Sequence, residues 1–203
     1  MDSLLGEWDA RGVIAGRRLE GIELGAELPC EGNSVDFEGC SFVDCSFADV
    51  VASRLSFEDC ELVRCDLSNA RLSKSFWRRC TLTGCRALGA DLREARLVVV
   101  TLEDTNLSYA NLTEAVLERV TLRGCKLAEA DLNGVRFRGK LKLAACDLTR
   151  AELAHTSLKG VDLSGCEIAG LRVSSSFAEL RGARVSPEQA VQLAGLLGVE
   201  VVD

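Results

Sequence analysis

The sequence predicts an all-β solenoid of about seven 20-residue coils, ended by a C-terminal α-helix. Three observations carry that prediction. Apolar residues recur every fifth position, residues twenty apart are alike, and the pattern gives way ahead of a helix start at Ser186. A period of five fits neither a 3.6-residue helix nor a two-residue strand alternation, so the backbone must turn at each repeat.

The five-residue period starts at Phe37 and continues through Phe42, Phe47, Phe57, Leu62, Leu67 and Leu72 to Phe137. It slips by one residue within Arg138-Gly139-Lys140-Leu141-Lys142 and resumes at Leu143, running to Val173. Leu, Phe, Ile or Val fills 25 of the 28 centres; the exceptions are Ala52, Trp77 and Ala87. The residue two before each centre is the second inward one. It is small or apolar, and nine of the ten cysteines sit there. Columns twenty apart, such as Cys45, Cys65, Cys85, Thr105 and Cys125, show four repeats per coil with like residues stacked. The slip is absorbed at a corner. No cysteine pair has C-x-x-C spacing, so the thiols read as small inward hydrophobes.

Ala90-Asp91-Leu92-Arg93-Glu94, Ala110-Asn111-Leu112-Thr113-Glu114 and Ala130-Asp131-Leu132-Asn133-Gly134 follow a motif A-(D/N)-L-x-x. On these residues the chain resembles the pentapeptide-repeat family over residues 35–175. The resemblance implies a right-handed quadrilateral β-helix. Residues 1–34 lack the clean repeat and read as an N-terminal cap and irregular first coil. Val13, Ile14, Leu19, Ile22, Leu24 and Leu28 look out of phase, Trp8 is placed over the first coil, and Cys30 shares the later cysteine phase.

Residues 176–203 read as a helix and short strand. Ser186-Pro187-Glu188-Gln189 gives a Ser N-cap, Pro at the first position and Gln at the third. Ala190, Leu193, Ala194 and Leu197 share one helical face, and Gly198 suits the position after the C-cap. Val199, Val201 and Val202 read as the strand. The tail is similar to the dimerising C-terminus of gyrase-protecting members of the family, the quinolone- and albicidin-resistance proteins. That implies a homodimer through Ala190, Leu193, Leu196, Leu197, Val199 and Val201.

Composition narrows the function. The formal charge is −7, and it is −4 over residues 1–34, −1 over the repeats and −2 over 177–203. A basic nucleic-acid surface is therefore disfavoured, and the rod is not a DNA-like polyanion. A local acidic stripe gathers Asp91, Glu94, Glu114, Asp131 and Glu152, with Glu103 and Asp104 on a neighbouring face. Another face is basic, with Arg78, Arg79, Arg96, Arg119, Arg136, Arg138 and Lys159. The single histidine, His155, stands alone at a solvent position, so no catalytic constellation, cofactor site or metal site is expected. No apolar run approaches the roughly 20 residues of a membrane helix, and the start lacks a signal sequence, which predicts a cytoplasmic protein. The resemblance implies a non-enzymatic partial DNA mimic that binds DNA gyrase, or topoisomerase IV, and protects it from a poison. An adaptor rod with another protein partner is the alternative.

Overall fold

The structure, a computed structural model, describes residues 12–24, 35–52 and 54–202. Trp8, Leu28, Cys30 and Gly32 lie outside the described residues. The strands are three residues long: β1 (Val13–Ala15), β2 (Arg18–Glu20), β3 (Asp36–Glu38), β4 (Ser41–Val43), β5 (Ser56–Glu58), β6 (Glu61–Val63), β7 (Phe76–Arg78), β8 (Thr81–Thr83), β9 (Arg96–Val98), β10 (Thr101–Glu103), β11 (Val116–Glu118), β12 (Thr121–Arg123), β13 (Arg136–Arg138) and β14 (Lys142–Ala144). Odd-numbered strands form one parallel seven-stranded sheet and even-numbered strands another. The remaining two faces are columns of single parallel bridges, one through Asp66, Arg86, Asn106 and Lys126, the other through Arg71, Asp91, Asn111 and Asp131. The molecule is a four-sided parallel β-solenoid.

The register follows the sequence period. Phe57 pairs with both Phe37 and Trp77, twenty residues to either side. Across the slip Leu122 pairs with Leu143, one residue further on. The first coil corrects the sequence reading of out-of-phase residues. Ile14 pairs with Phe37 and Leu19 with Phe42, and Leu24 donates its N–H to Ser46 O. All three are buried. The connection between Leu24 and Val35 is three residues longer than later ones, and this shifts the phase in sequence but not in space.

Two kinds of turn alternate around the coil. On the bridged faces the Asp or Asn before each centre accepts from the backbone two residues on: Asp66 from Ser68 N (2.9 Å), Asn111 from Thr113 N (2.9 Å), Asp131 from Asn133 N (2.9 Å). This Asx-turn explains the (D/N) of the motif. The turn then closes with a bond such as Ala70 N to Leu67 O (3.1 Å), bringing the next inward residue close to the chain. Alanine is the residue that fits there: Ala70, Ala90, Ala110 and Ala130 are buried.

The core explains the cysteines. Cys60 Sγ donates to Phe37 O (3.3 Å) and Cys80 Sγ to Phe57 O (3.3 Å), each reaching the coil before it. Thr105 Oγ1 makes the equivalent contact with Leu82 O (3.4 Å), so Cys and Thr interchange in the column. The described cysteines are free, and all but the half-buried Cys166 are buried. Contact with the Cys40 and Cys80 thiols, and burial, push the Cys60 thiol up, so it packs as a neutral group. Along the axis Phe37 meets Phe42 edge-on (5.1 Å between ring centres), and Trp77 stacks on Phe57 (4.0 Å). Trp77 departs from Leu or Phe only because Ser75, at the inward position beside it, accepts its indole N–H (2.9 Å).

The helix, α1 (Pro187–Leu196), begins as expected. Ser186 Oγ accepts from Gln189 N and Gln189 Oε1 accepts from Ser186 N, completing a capping box. Its buried face differs from the expected one. Ala190 and Leu197 are exposed, Leu193 is partly buried, and Gln189 is buried. Gln189 Nε2 donates to Leu163 O and Cys166 O, both at 2.7 Å. An end coil has carbonyls with no further coil to pair with, and a buried amide satisfies them where an apolar stripe cannot. The short strand at Val199–Val202 does not form: the chain there is irregular and exposed.

Candidate partner-binding surface

The acidic candidates are spread over two sides of the rod. Asp91, Asp131 and Glu152 share one bridge column, with Asn111 between the first two. Glu94 and Glu114 occupy the corner that follows, both with positive φ. Glu103 ends β10 on a different face, and Asp104 is its corner. The structure therefore brings five together and places Glu103 on the opposite face, two repeats on, where the sequence reading put it on a neighbouring one.

Ion pairs decide how much charge those residues present. Glu94 pairs with Lys74 (3.6 Å), Glu103 with Arg123 (3.3 Å), Glu152 with Arg172 (2.8 Å) and Asp91 with Arg93 (2.6 Å). The Arg93 guanidinium holds the Asp91 carboxyl below its usual range. Asp104, Glu114 and Asp131 have no cationic partner among the described residues. Asp91 and Asp131 also serve as Asx caps, and Asn111 performs that task between them without charge. The sequence held this signal, because a column that accepts Asn as readily as Asp is selecting an oxygen acceptor.

The basic side shows the same ladder logic. Arg78 pairs with Glu58, Arg79 with Asp59 (2.5 Å), and Arg96 and Arg119 both reach Glu118. Arg136, Arg138 and Lys159 have no such partner among the described residues. Elsewhere Arg64 meets Asp44 in a two-pronged contact (2.7 and 2.8 Å) that holds the Asp44 carboxyl down. Pairing between layers, about twenty residues apart, thus recurs along this rod.

The C-terminal end is apolar and open. Leu197 is 60% exposed, Val201 56% and Val202 85%, with Val191, Leu196 and Val199 also exposed. Of the six dimer candidates, Leu193 alone packs partly on the rod; Ala190, Leu196, Leu197, Val199 and Val201 face outward. Among the described residues no group of His, Cys, Asp and Glu is arranged to hold a metal. No described helix is long and apolar enough to cross a membrane.

Comparison with known proteins agrees with this architecture. A family model described as a pentapeptide repeat region matches residues 55–132, and one described as pentapeptide repeats (8 copies) matches 33–69 and 142–175. No curated protein matches the sequence. Among solved structures the chain is similar to trypsin-treated QnrB1, a plasmid-mediated fluoroquinolone resistance protein, at 14% identity over 94% of this chain and 100% of that one, with TM-score 0.45. It is also similar to HetL of the cyanobacterium Nostoc, a pentapeptide-repeat protein involved in heterocyst differentiation regulation, at 18% identity over 88% and 90% of the two chains, with TM-score 0.31. The two family models together span most of the solenoid, whose five-residue period, four faces and Asx-capped turns are described above: the chain belongs to the pentapeptide-repeat family.

Proposed function

We propose that this chain is a non-enzymatic, partner-binding rod that joins a second copy through its C-terminal end. Its target on this reading is DNA gyrase or a related type II topoisomerase, which it shields from a poison in the cytoplasm. The observation that carries the reading is the set of carboxylates left unneutralised by the ladders. Glu114 at a corner and Asp131 one layer on lie on the same side of the C-terminal half, whereas Asp104 stands at the corner diagonally across the coil. Duplex DNA carries a charge about every 1.7 Å, so this is a local imitation of a few phosphates. A dimer joined at the C-terminal ends would double it, and the exposed Leu196, Leu197, Val199 and Val201 supply a surface suited to a self-complementary contact. The drug class, quinolone or albicidin-type, comes from the resemblance of the tail.

The test is gyrase supercoiling with purified protein, with and without each poison. Rescue of supercoiling, lost in Glu114→Lys/Asp131→Lys with the fold intact, supports the reading. Neither rescue nor inhibition at micromolar protein removes it. Sedimentation of Leu197→Asp tests the dimer separately and is expected to give a monomer. A second reading, an adaptor for a non-topoisomerase protein, draws on the basic side, where Arg136, Arg138 and Lys159 stand unpaired.

A further inference from the structure

The two sheets end before the solenoid does. β13 and β14 are the last strands of their sheets. One layer earlier the corner N–H groups donate forward, Arg119 to Arg138 O and Gly124 to Ala144 O (both 2.9 Å). The equivalent N–H groups of Gly139 and Ala145 have no backbone acceptor. The coil that should cover them has turned away. Leu158, Gly160 and Leu163 donate onward, to Glu179, Gly182 and Arg184. The other two faces stay closed, through the Asp147–Glu167 and Glu152–Arg172 bridges. The rod is therefore split on two faces and hinged on two.

The split is a cleft of about 1340 Å³ bounded by both strand edges. Its floor is apolar. Phe137, Leu141 and Leu143 are only partly buried, whereas the centre of every earlier described strand is buried. Its rim is cationic. Arg136, Lys140, Lys142 and Lys159 line it, Arg138 ends β13 at its edge, and none of the five has a carboxylate partner among the described residues. The lining carboxylate, Asp162, is already taken by Arg184. On a rod where ion pairs recur between layers, these are bases next to a layer that does not pair with them.

We propose that this cleft accepts an extended acidic segment of another protein as an added strand, reading acidic–apolar–acidic against Arg136-Phe137-Arg138. The backbone supplies free donors and acceptors along β13 and β14, the requirement for strand addition. Pleat alternation places an incoming apolar residue over Phe137 and its two neighbours beside the guanidinium groups. The rod's own layers use the same recognition, as Glu103 with Arg123 and Glu152 with Arg172 show. This site uses none of the acidic carboxylates and stands independently of the topoisomerase reading.

The experiment is fluorescence anisotropy of the full chain with a labelled peptide carrying a Glu-Leu-Glu core flanked by glycines. Saturable binding is expected, and none to the Lys-Leu-Lys counterpart. Arg136→Glu/Arg138→Glu should weaken the acidic peptide at least about tenfold and create binding to the Lys-Leu-Lys peptide. Both side chains are exposed, and an unchanged melting curve confirms that the variant folds. Arg54→Glu/Arg71→Glu, changing bases on another side that make no ion pair among the described residues, should leave binding unaltered. N-methylating the Leu amide of the peptide should abolish it. Equal binding of the N-methylated peptide, an unaffected double variant, displacement of the peptide by duplex DNA in preference to unlabelled peptide, or no saturation at millimolar peptide would each overturn the proposal.

Discussion

The two halves of the rod obey one repeat and fill it differently. The N-terminal half packs Phe37, Phe42, Phe47, Phe57 and Trp77 along its axis, with ring centres 4.0 to 6.1 Å apart, inside walls rich in cysteine. From Val35 onward it keeps a strict 20-residue period. The C-terminal half has leucine at nearly every centre and alanine in many wall positions, and a void of about 40 Å³ runs between Leu112 and Leu163. That half also holds the slip, the cleft and the helical cap. The lesson is that two inward positions fix the period, while the volume placed there decides how completely the axis is filled.

The largest expected effect tests this directly. Phe57→Ala should cost about 3–5 kcal/mol, and Leu132→Ala, beside an existing void, nearer about 2 kcal/mol. Urea unfolding of both reads the difference, and equal losses would break the comparison. Ala110→Leu, at a wall position with no exposure, should destabilise by about 1–3 kcal/mol through overpacking. A neutral melting temperature there would mean that the C-terminal void reaches the wall. Glu179 is specific to the capped half. Burial opposes its ionisation, but bonds from its own N–H, from His155 N (2.8 Å) and from the Ser174 hydroxyl (2.9 Å) hold its carboxyl below the usual range. Glu179→Ala should cost about 1–3 kcal/mol by orphaning those donors, with faster amide exchange at His155 as its local signature.

The smallest effects belong to the surface ladders. Arg64→Ala should leave the melting temperature nearly unchanged, more so at high salt, because the pair is exposed. The sign with pH is fixed. Arg64 depresses the Asp44 carboxyl, so the pair's contribution is complete above the ordinary carboxylate range and is lost as pH falls through the lowered value. Asp162, held at about 2 by the Ser164 hydroxyl and N–H and by Arg184, keeps its contribution further into acid. An acid titration of melting temperature, repeated on Asp162→Asn, checks this.

Sequence legibility followed the physics of each position. The centres, the walls, the slip, the capping box and the sharing of one side by Asp91, Glu94, Glu114, Asp131 and Glu152 were all readable. Burial acts on each inward residue where it stands, so a count of five and a count of twenty recover it. Outward positions are different. Whether Glu94 is free charge or half of a pair depends on Lys74 in the layer beside it, and whether Asp91 is a partner contact or a turn cap depends on a hydrogen bond to Arg93 N. The ends are decided later still. Gln189 is buried because terminal carbonyls need a donor, and β13 and β14 each keep one edge open because the next coil forms no strand beside them.

The sequence by itself determined the solenoid, its register and its stacking, because an exact repeat makes every local preference agree with the global one. Only the tertiary structure decided which carboxylates lack an ion-pair partner, which helix face meets the rod and where two sheet edges lie open. Those outcomes rest on pairings between separate layers, and a linear pattern of inward residues says nothing of which outward groups reach one another.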